Sequence, residues 1–225
     1  MKTIKIADRL SASDDFYPAS DGQPMAETQV HVLLMMSLYA MLRHHFRRER
    51  VLVAANIFLY YRKGDSTKRT SPDIMVVKGV EGQTLRRSFF TWKERAVPSW
   101  VLELTSKGTA HEDQKEKKAL YRKLKVREYF LFDPLHEYLP TPLIGYRLVD
   151  GRYQRLKPDA EGGLVSEELG MRLVPERARL LIYDLSTGRR LLNPDESYEQ
   201  SEQDRAKIAA LSAELDRLRK NRNGA

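Results

Sequence analysis

The segment WVLELTSKGTAHEDQKEKKALYRKLKVREYFLFDP, from Trp100 to Pro134, has few ways to fold. It opens with an apolar run, Trp100 to Ser106, and closes with another, Glu128 to Pro134. Between them, from about Ala110 to Lys125, the residues are spaced as a helix. Strand, helix and strand within so short a span predict a right-handed βαβ crossover, its two strands parallel. One residue breaks the pattern. Glu103 sits in the middle of the first strand.

Alternation places Val101, Glu103 and Thr105 on one strand face and Trp100, Leu102 and Leu104 on the other. A buried carboxylate without a partner costs several kcal/mol, so Glu103 needs a cation, a set of donors or access to water. Two readings stay open: an ion pair with a nearby lysine or arginine, or a metal shared with a second acid. Asp73 is the candidate second acid. Pro72 holds it in an extended entry to the strand Asp73–Gly79 (DIMVVKG). If the two strands are neighbours, the carboxylates repel unless something positive lies between them. An aspartate after proline is also ordinary turn chemistry. On the helix, Asp113, Lys117 and Tyr121 follow at four-residue steps and fall near one face, from which Lys117 can reach the acids. The plain alternative is a solvated lysine, since Lys115, Lys117 and Lys118 cannot all point inward.

Elsewhere, YPASDGQP (Tyr17 to Pro24) is turn chemistry, and Met25 to about Arg48 reads as an amphipathic helix with Val30, Leu34, Leu38, Met41, Leu42 and Phe46 on its apolar face. Val51 to Tyr61 (VLVAANIFLYY) reads as one strand, closed by the basic loop RKGDSTKRTSP. Beyond Pro142, the Asp150-Gly151 pair in GYRLVDGRYQRL signals a hairpin, with further short strands up to Leu192. The tail from Pro194 differs. Ile208, Leu211, Leu215 and Leu218 alternate spacings of three and four, a coiled-coil seam that pairs with a copy of itself or packs on the domain.

The net charge of +8 favours a polyanionic partner. Acids and bases balance from Glu196 to Arg222, so the excess lies in the first 195 residues. The chain has no cysteine, which rules out disulfides and thiolate metal ligation. The longest apolar runs fall short of the roughly 18 residues a spanning helix needs, and the first twenty residues lack an export signal. A cytoplasmic protein without a membrane span is the expectation. The five histidines form no H-E-x-x-H pattern, and neither G-x-x-x-x-G-K nor G-x-S-x-G occurs.

The segment SPDIMVV, then PSWVLELTSKGTAHEDQKEKKALYRKLKVREYFLFDP, is similar to the Uma-two type of restriction endonucleases, a branch of the PD-(D/E)XK nuclease superfamily. The ordered motif is P-D … V-x-E-x-x-S … D-x-x-x-K-x-x-x-Y … V-x-E-Y-x-x-x-D-P. YPASDGQPMAETQVH and YRLVDGRYQRL also resemble larger members, and the likeness runs from about Phe16 to Leu191. It implies a metal-dependent endonuclease that hydrolyses DNA phosphodiester bonds. Asp73 and Glu103 would be catalytic and hold Mg²⁺ or Mn²⁺, with the backbone carbonyl of Leu104 beside them. The superfamily's usual lysine stands two residues after the acid, where this chain has Thr105. Lys117 on the helix matches the substitute used in this branch, with Lys107 as the second choice. Glu27 resembles an additional acid near the metal. Arg62, Lys63, Lys68 and Arg69, and also Arg86 and Arg87, are candidates for holding the nucleic-acid backbone.

The expected architecture is α/β: a restriction-endonuclease-like mixed central sheet flanked by helices, an antiparallel β extension and a C-terminal helix. Residues 1–193 form the nuclease domain and residues 194–225 a helical, coiled-coil-like tail. The expected partners are DNA and, through the tail, a second copy of the chain. Thr105 in place of lysine leaves open a catalytically inactive nucleic-acid-binding or oligomerisation module on the same fold.

Overall fold

The computed structural model describes residues 17–20, 28–82 and 84–223. The chain forms two compact units, Met1–Leu191 and Leu192–Ala225.

In the first unit, helix α1 (Gln29–His45) begins where Thr28 Oγ1 accepts the His31 N–H at 3.2 Å, satisfying a donor that helix starts leave free. The expected start at Met25, and Glu27 with it, lies outside the described residues. The buried row is His31, Leu34, Leu38, Met41 and Leu42. Val30, expected on that face, is 40% exposed; one residue of helix turns a side chain by a quarter-circle or more, and His31 takes the inward position.

Strand β1 (Val51–Ala55) stops early. The run to Tyr61, expected as one strand, breaks at Asn56, whose φ of 49° is left-handed, a conformation asparagine tolerates better than most residues. The Asn56 N–H points at the carbonyls of Pro72 and Asp73 (3.1 and 3.2 Å), and its Oδ1 accepts from Ser71 Oγ at 3.0 Å. The chain then changes sheets through β2 (Phe58–Tyr60), β3 (Arg69–Thr70), β4 (Ile74–Lys78) and β5 (Ser88–Phe90). Strands β3, β2 and β5 make a small sheet, whereas β4 returns to pair antiparallel with β1. A short helix, α2 (Thr91–Glu94), leads into β6 (Trp100–Leu104).

The crossover helix is composite: α3 (Ala110–Glu112), a π-helical turn (Asp113–Lys117) and α4 (Lys118–Lys123). It returns the chain to β7 (Glu128–Phe132), parallel to β6. Strands β8 (Leu143–Val149) and β9 (Arg152–Arg155) follow, joined at Asp150 and Gly151. Both turn residues have positive φ (48° and 74°), the requirement of the two-residue hairpin. The hairpin extends the central sheet. A separate antiparallel sheet is made by β10 (Leu164–Ser166), β11 (Met171–Glu176) and β12 (Arg179–Asp184).

The central order is β1-β4-β6-β7-β8-β9, with β6–β7 parallel and each other neighbouring pair antiparallel. This is a mixed α/β fold. Both faces of the middle strands are buried. Trp100, Leu102, Phe130, Ile74 and Val76 share one core with α1 and the β10–β12 sheet, and Val101, Tyr129, Leu131, Met75 and Val77 share the other with Tyr121 and Val126. Glu103 alternates onto the second face, under the crossover helix.

The second unit is the helix α5 (Pro194–Asn223). Asn193 and Glu196 cap it reciprocally: each backbone N–H donates to the other's side chain, at 3.0 and 2.9 Å. Among the described residues, no helix is long and apolar enough to cross a membrane.

Candidate active site: acids of two strands meet a lysine of the crossover helix

The register of β4 and β6 builds the site. Ile74 pairs with Leu102, so Asp73, one residue before β4, stands opposite Glu103. The Asp73 N–H donates to Glu103 Oε2 (3.3 Å), and the Leu104 N–H donates to Asp73 Oδ2 (2.7 Å). Asn56 grips the Asp73 carbonyl from the other side. The break in the first β run therefore fixes where the aspartate enters the sheet.

Glu103 is completely buried, and three donors satisfy it. Besides the Asp73 amide, Tyr121 O–H donates to Oε1 at 2.7 Å and Lys117 Nζ to Oε2 at 3.0 Å. Lys117 Nζ also lies 3.0 Å from Asp113 Oδ1, and Asp113 is itself buried. The π turn spans Asp113 to Lys117, and the Asp113 carbonyl accepts from Tyr129 O–H at 2.9 Å. Such turns widen a helix locally and are common at functional sites. From α1, His31 Nε2 approaches Asp73 Oδ1 at 3.4 Å. The Asp73 side chain is 16% exposed, so the cluster opens to solvent on that side.

Two carboxylates thus grip the Lys117 ammonium, and a third, Asp73, acts on it from farther off. Burial pushes the Glu103 carboxyl up to about 8; Lys117 opposes the shift, and Asp73 and Asp113 add to it. Burial likewise raises Asp113 against the pull of Lys117. Burial works against the charge on Lys117, but Glu103 and Asp113 outweigh it and hold its pKa above the ordinary lysine value. The Tyr121 hydroxyl is held well above its usual range, by burial first and then by Glu103. The cluster contains more acid than base, and in the absence of a further cation it holds a proton near neutral pH.

The remaining candidates lie elsewhere. Lys107 is exposed in the turn after β6. Thr105 is buried, and its hydroxyl has no hydrogen-bond partner among the described residues. Arg62 and Lys63 are exposed and Lys68 and Arg69 half-buried at and just before β3; Arg69 also lies over the Phe58 ring at 4.6 Å. Next to Arg69, Thr70 lies close enough to the Tyr121 hydroxyl to oppose the rise in its pKa, so β3 abuts the cluster. Arg86 is committed to the fold. Its guanidinium pairs with Glu94 (2.5 and 3.1 Å) and donates to the carbonyls of Glu81 and Thr84.

His31 and Asp113 join the cluster without having been assigned a part from the sequence. A signal existed for each. His31 interrupts the apolar row of α1, and Asp113 begins the four-residue series that ends at Tyr121. Among the described residues, no three histidine or acidic side chains converge in a metal-binding group.

The mixed central sheet with its helical crossover is the restriction-endonuclease-like architecture expected from the sequence. Residues 9–180 match the Uma2 family, whose description is "Putative restriction endonuclease", and the chain belongs to that family. The family supports a nuclease acting on nucleic acid. One solved structure that it resembles is a "putative nuclease belonging to DUF820" from Anabaena variabilis. The identity is 15%, the TM-score 0.47, and the match covers 67% of this chain and 81% of that one. No curated protein matches.

Proposed function

We propose that the protein is a divalent-metal-dependent endonuclease that hydrolyses DNA phosphodiester bonds at the Asp73–Glu103–Lys117 cluster. The observation that carries this reading is the position of Lys117. The crossover helix delivers its ammonium 3.0 Å from Glu103, whose strand neighbour Asp73 supplies the second carboxylate. The lysine absent at Thr105 is replaced in space by one from the helix.

The residues suit a hard cation. Asp73, Glu103 and the Leu104 carbonyl offer oxygen, which Mg²⁺ and Mn²⁺ prefer. The acid excess around Lys117 leaves negative charge for an ion to balance, and the exposed side of Asp73 leaves room for water ligands. When bound, such an ion lowers the pKa of its water and neutralises charge on the phosphate. The chain's own groups do the rest. Tyr121 fixes the orientation of Glu103, and Asp113 holds Lys117 in place. Lys117 orients the attacking water and stabilises charge developing on the phosphate. Arg62, Lys63, Lys68 and Arg69 bind the backbone phosphates of the substrate.

The experiment is cleavage of supercoiled and linear DNA with Mg²⁺, Mn²⁺ or EDTA, using the parent chain and Glu103→Gln. Glu103→Gln keeps the size of the side chain and an acceptor for Tyr121. The expected result is metal-dependent cutting, lost in the variant while its circular dichroism is unchanged. Persistent cutting by a purified, folded variant overturns the assignment. Salt-dependent DNA binding without divalent-ion uptake would instead mark an inert binding module.

A further inference from the structure

Four large apolar side chains stand exposed on α5: Ile208 (63%), Leu211 (57%), Leu215 (55%) and Leu218 (56%). Their spacing of three, four and three residues aligns them in one seam. Leaving that seam in water is unfavourable, and covering it gains the hydrophobic free energy of each side chain.

We propose that a second copy of this chain covers the seam, forming a short parallel two-stranded coiled coil. Two features favour that occupant. The first is the seam's composition. Ile208 and Leu215 take the a positions and Leu211 and Leu218 the d positions; the β-branched Ile208 at a with leucine at both d positions suits two parallel strands, and Leu215 at the second a position departs from that pattern.

The second is charge. In a parallel pair, each g residue faces the e residue of the following heptad on the other helix. Glu214 of one copy then meets Arg219 of the other, and the remaining facing pairs contain no like charges. Turning one helix around while keeping the same four layers aligned sets Glu214 against Glu214 and Arg205 against Arg219. Those like-charge contacts disfavour the antiparallel form.

The seam has a definite limit. One heptad upstream, Ser201 and Asp204 occupy the a and d positions, so the coil is confined to the stretch from Lys207 to Arg219. With so few layers, its association depends on protein concentration. The coil stands or falls independently of the chemistry at Glu103.

The test is sedimentation equilibrium of the full chain, with oxidative cross-linking of a cysteine placed in the seam. The parent chain has no cysteine, so Ile208→Cys reports on a single site. The expected results are a mass that doubles with rising concentration, and a monomer for Leu211→Glu/Leu215→Glu. A disulfide-linked dimer should form from Ile208→Cys alone. A parent chain that stays monomeric, or a dimer that survives the double substitution, overturns the proposal. Cross-linking only when Ile208→Cys is mixed with Leu218→Cys overturns the parallel arrangement.

Discussion

The Tyr121 hydroxyl donates to Glu103 Oε1 at 2.7 Å, and both residues are fully buried. This bond ties the crossover helix to the strand beneath it. One turn earlier on the same helix, Lys117 grips the other oxygen of that carboxylate. The helix therefore acts as a clamp on Glu103, and its effects on stability are measurable.

Replacing Lys117 with methionine should destabilise the protein by about 3 kcal/mol or more above pH 8, because it strands two buried carboxylates, Glu103 and Asp113. At pH 5, well below the raised value of about 8, Glu103 is protonated and the loss should shrink. Urea unfolding at the two pH values checks this. An equal loss at both would show that the lysine stabilises by packing alone.

The free protein should lose stability as pH rises between about 4.5 and 8. Glu103 has an ordinary value of 4.5 and is raised to about 8 in the fold. Within that window the native state holds a proton the unfolded chain has released, so stability falls with increasing pH. The contribution is complete below the lower value and absent above the upper one. Glu103→Gln should flatten this part of the urea-midpoint profile measured in EDTA; an unchanged slope assigns the titration to another group.

At the opposite end of the crossover strands, Glu128 is a structural counterpart. It is buried, accepts from Arg147 Nε (2.9 Å) and from the Glu167 N–H (3.0 Å), and takes a hydrogen bond from the Ser166 hydroxyl. It pins the β10–β12 sheet to the central one. Glu128→Ala should cost about 3–5 kcal/mol through the stranded arginine and amides. Calorimetric melting measures it, and a near-neutral result would show that water replaces the carboxylate.

Arg62 and Lys63 are exposed in the loop before β3. Replacing both with alanine should leave stability unchanged and lower the slope of log binding constant against log salt by about 2, near one for each phosphate no longer neutralised. Fluorescence anisotropy with labelled duplex DNA reads the slope. Arg86→Ala should do the reverse, since its guanidinium is tied to Glu94 and to loop carbonyls. A changed slope for Arg86→Ala with normal stability would contradict that division.

Several of these relationships were legible in the chain as a string. A carboxylate inside an apolar strand is visible at Glu103 because burying it is costly, so its presence signals a partner. Asp113, Lys117 and Tyr121 share a face by helical arithmetic. The crossover itself follows from two apolar runs bracketing a helix. Other features were hidden. Val51 to Tyr61 looks like one strand because its composition is uniform, and only Asn56 at positive φ divides it. Arg86 looks like its neighbour Arg87, although one is bonded inward and the other is exposed.

Local rules act through neighbours in sequence: alternation, helical periodicity and turn chemistry fix which residues share a face and where the chain reverses. They suffice for the βαβ unit, the Asp150-Gly151 hairpin and the seam of α5. They are silent on which face meets which. The pairing of Ile74 with Leu102 sets Asp73 opposite Glu103 across 30 residues of chain, and the packing of α1 brings His31 to the same place. Those meetings depend on strand register and on burial summed over two cores, free energies to which no short segment contributes enough to decide the outcome.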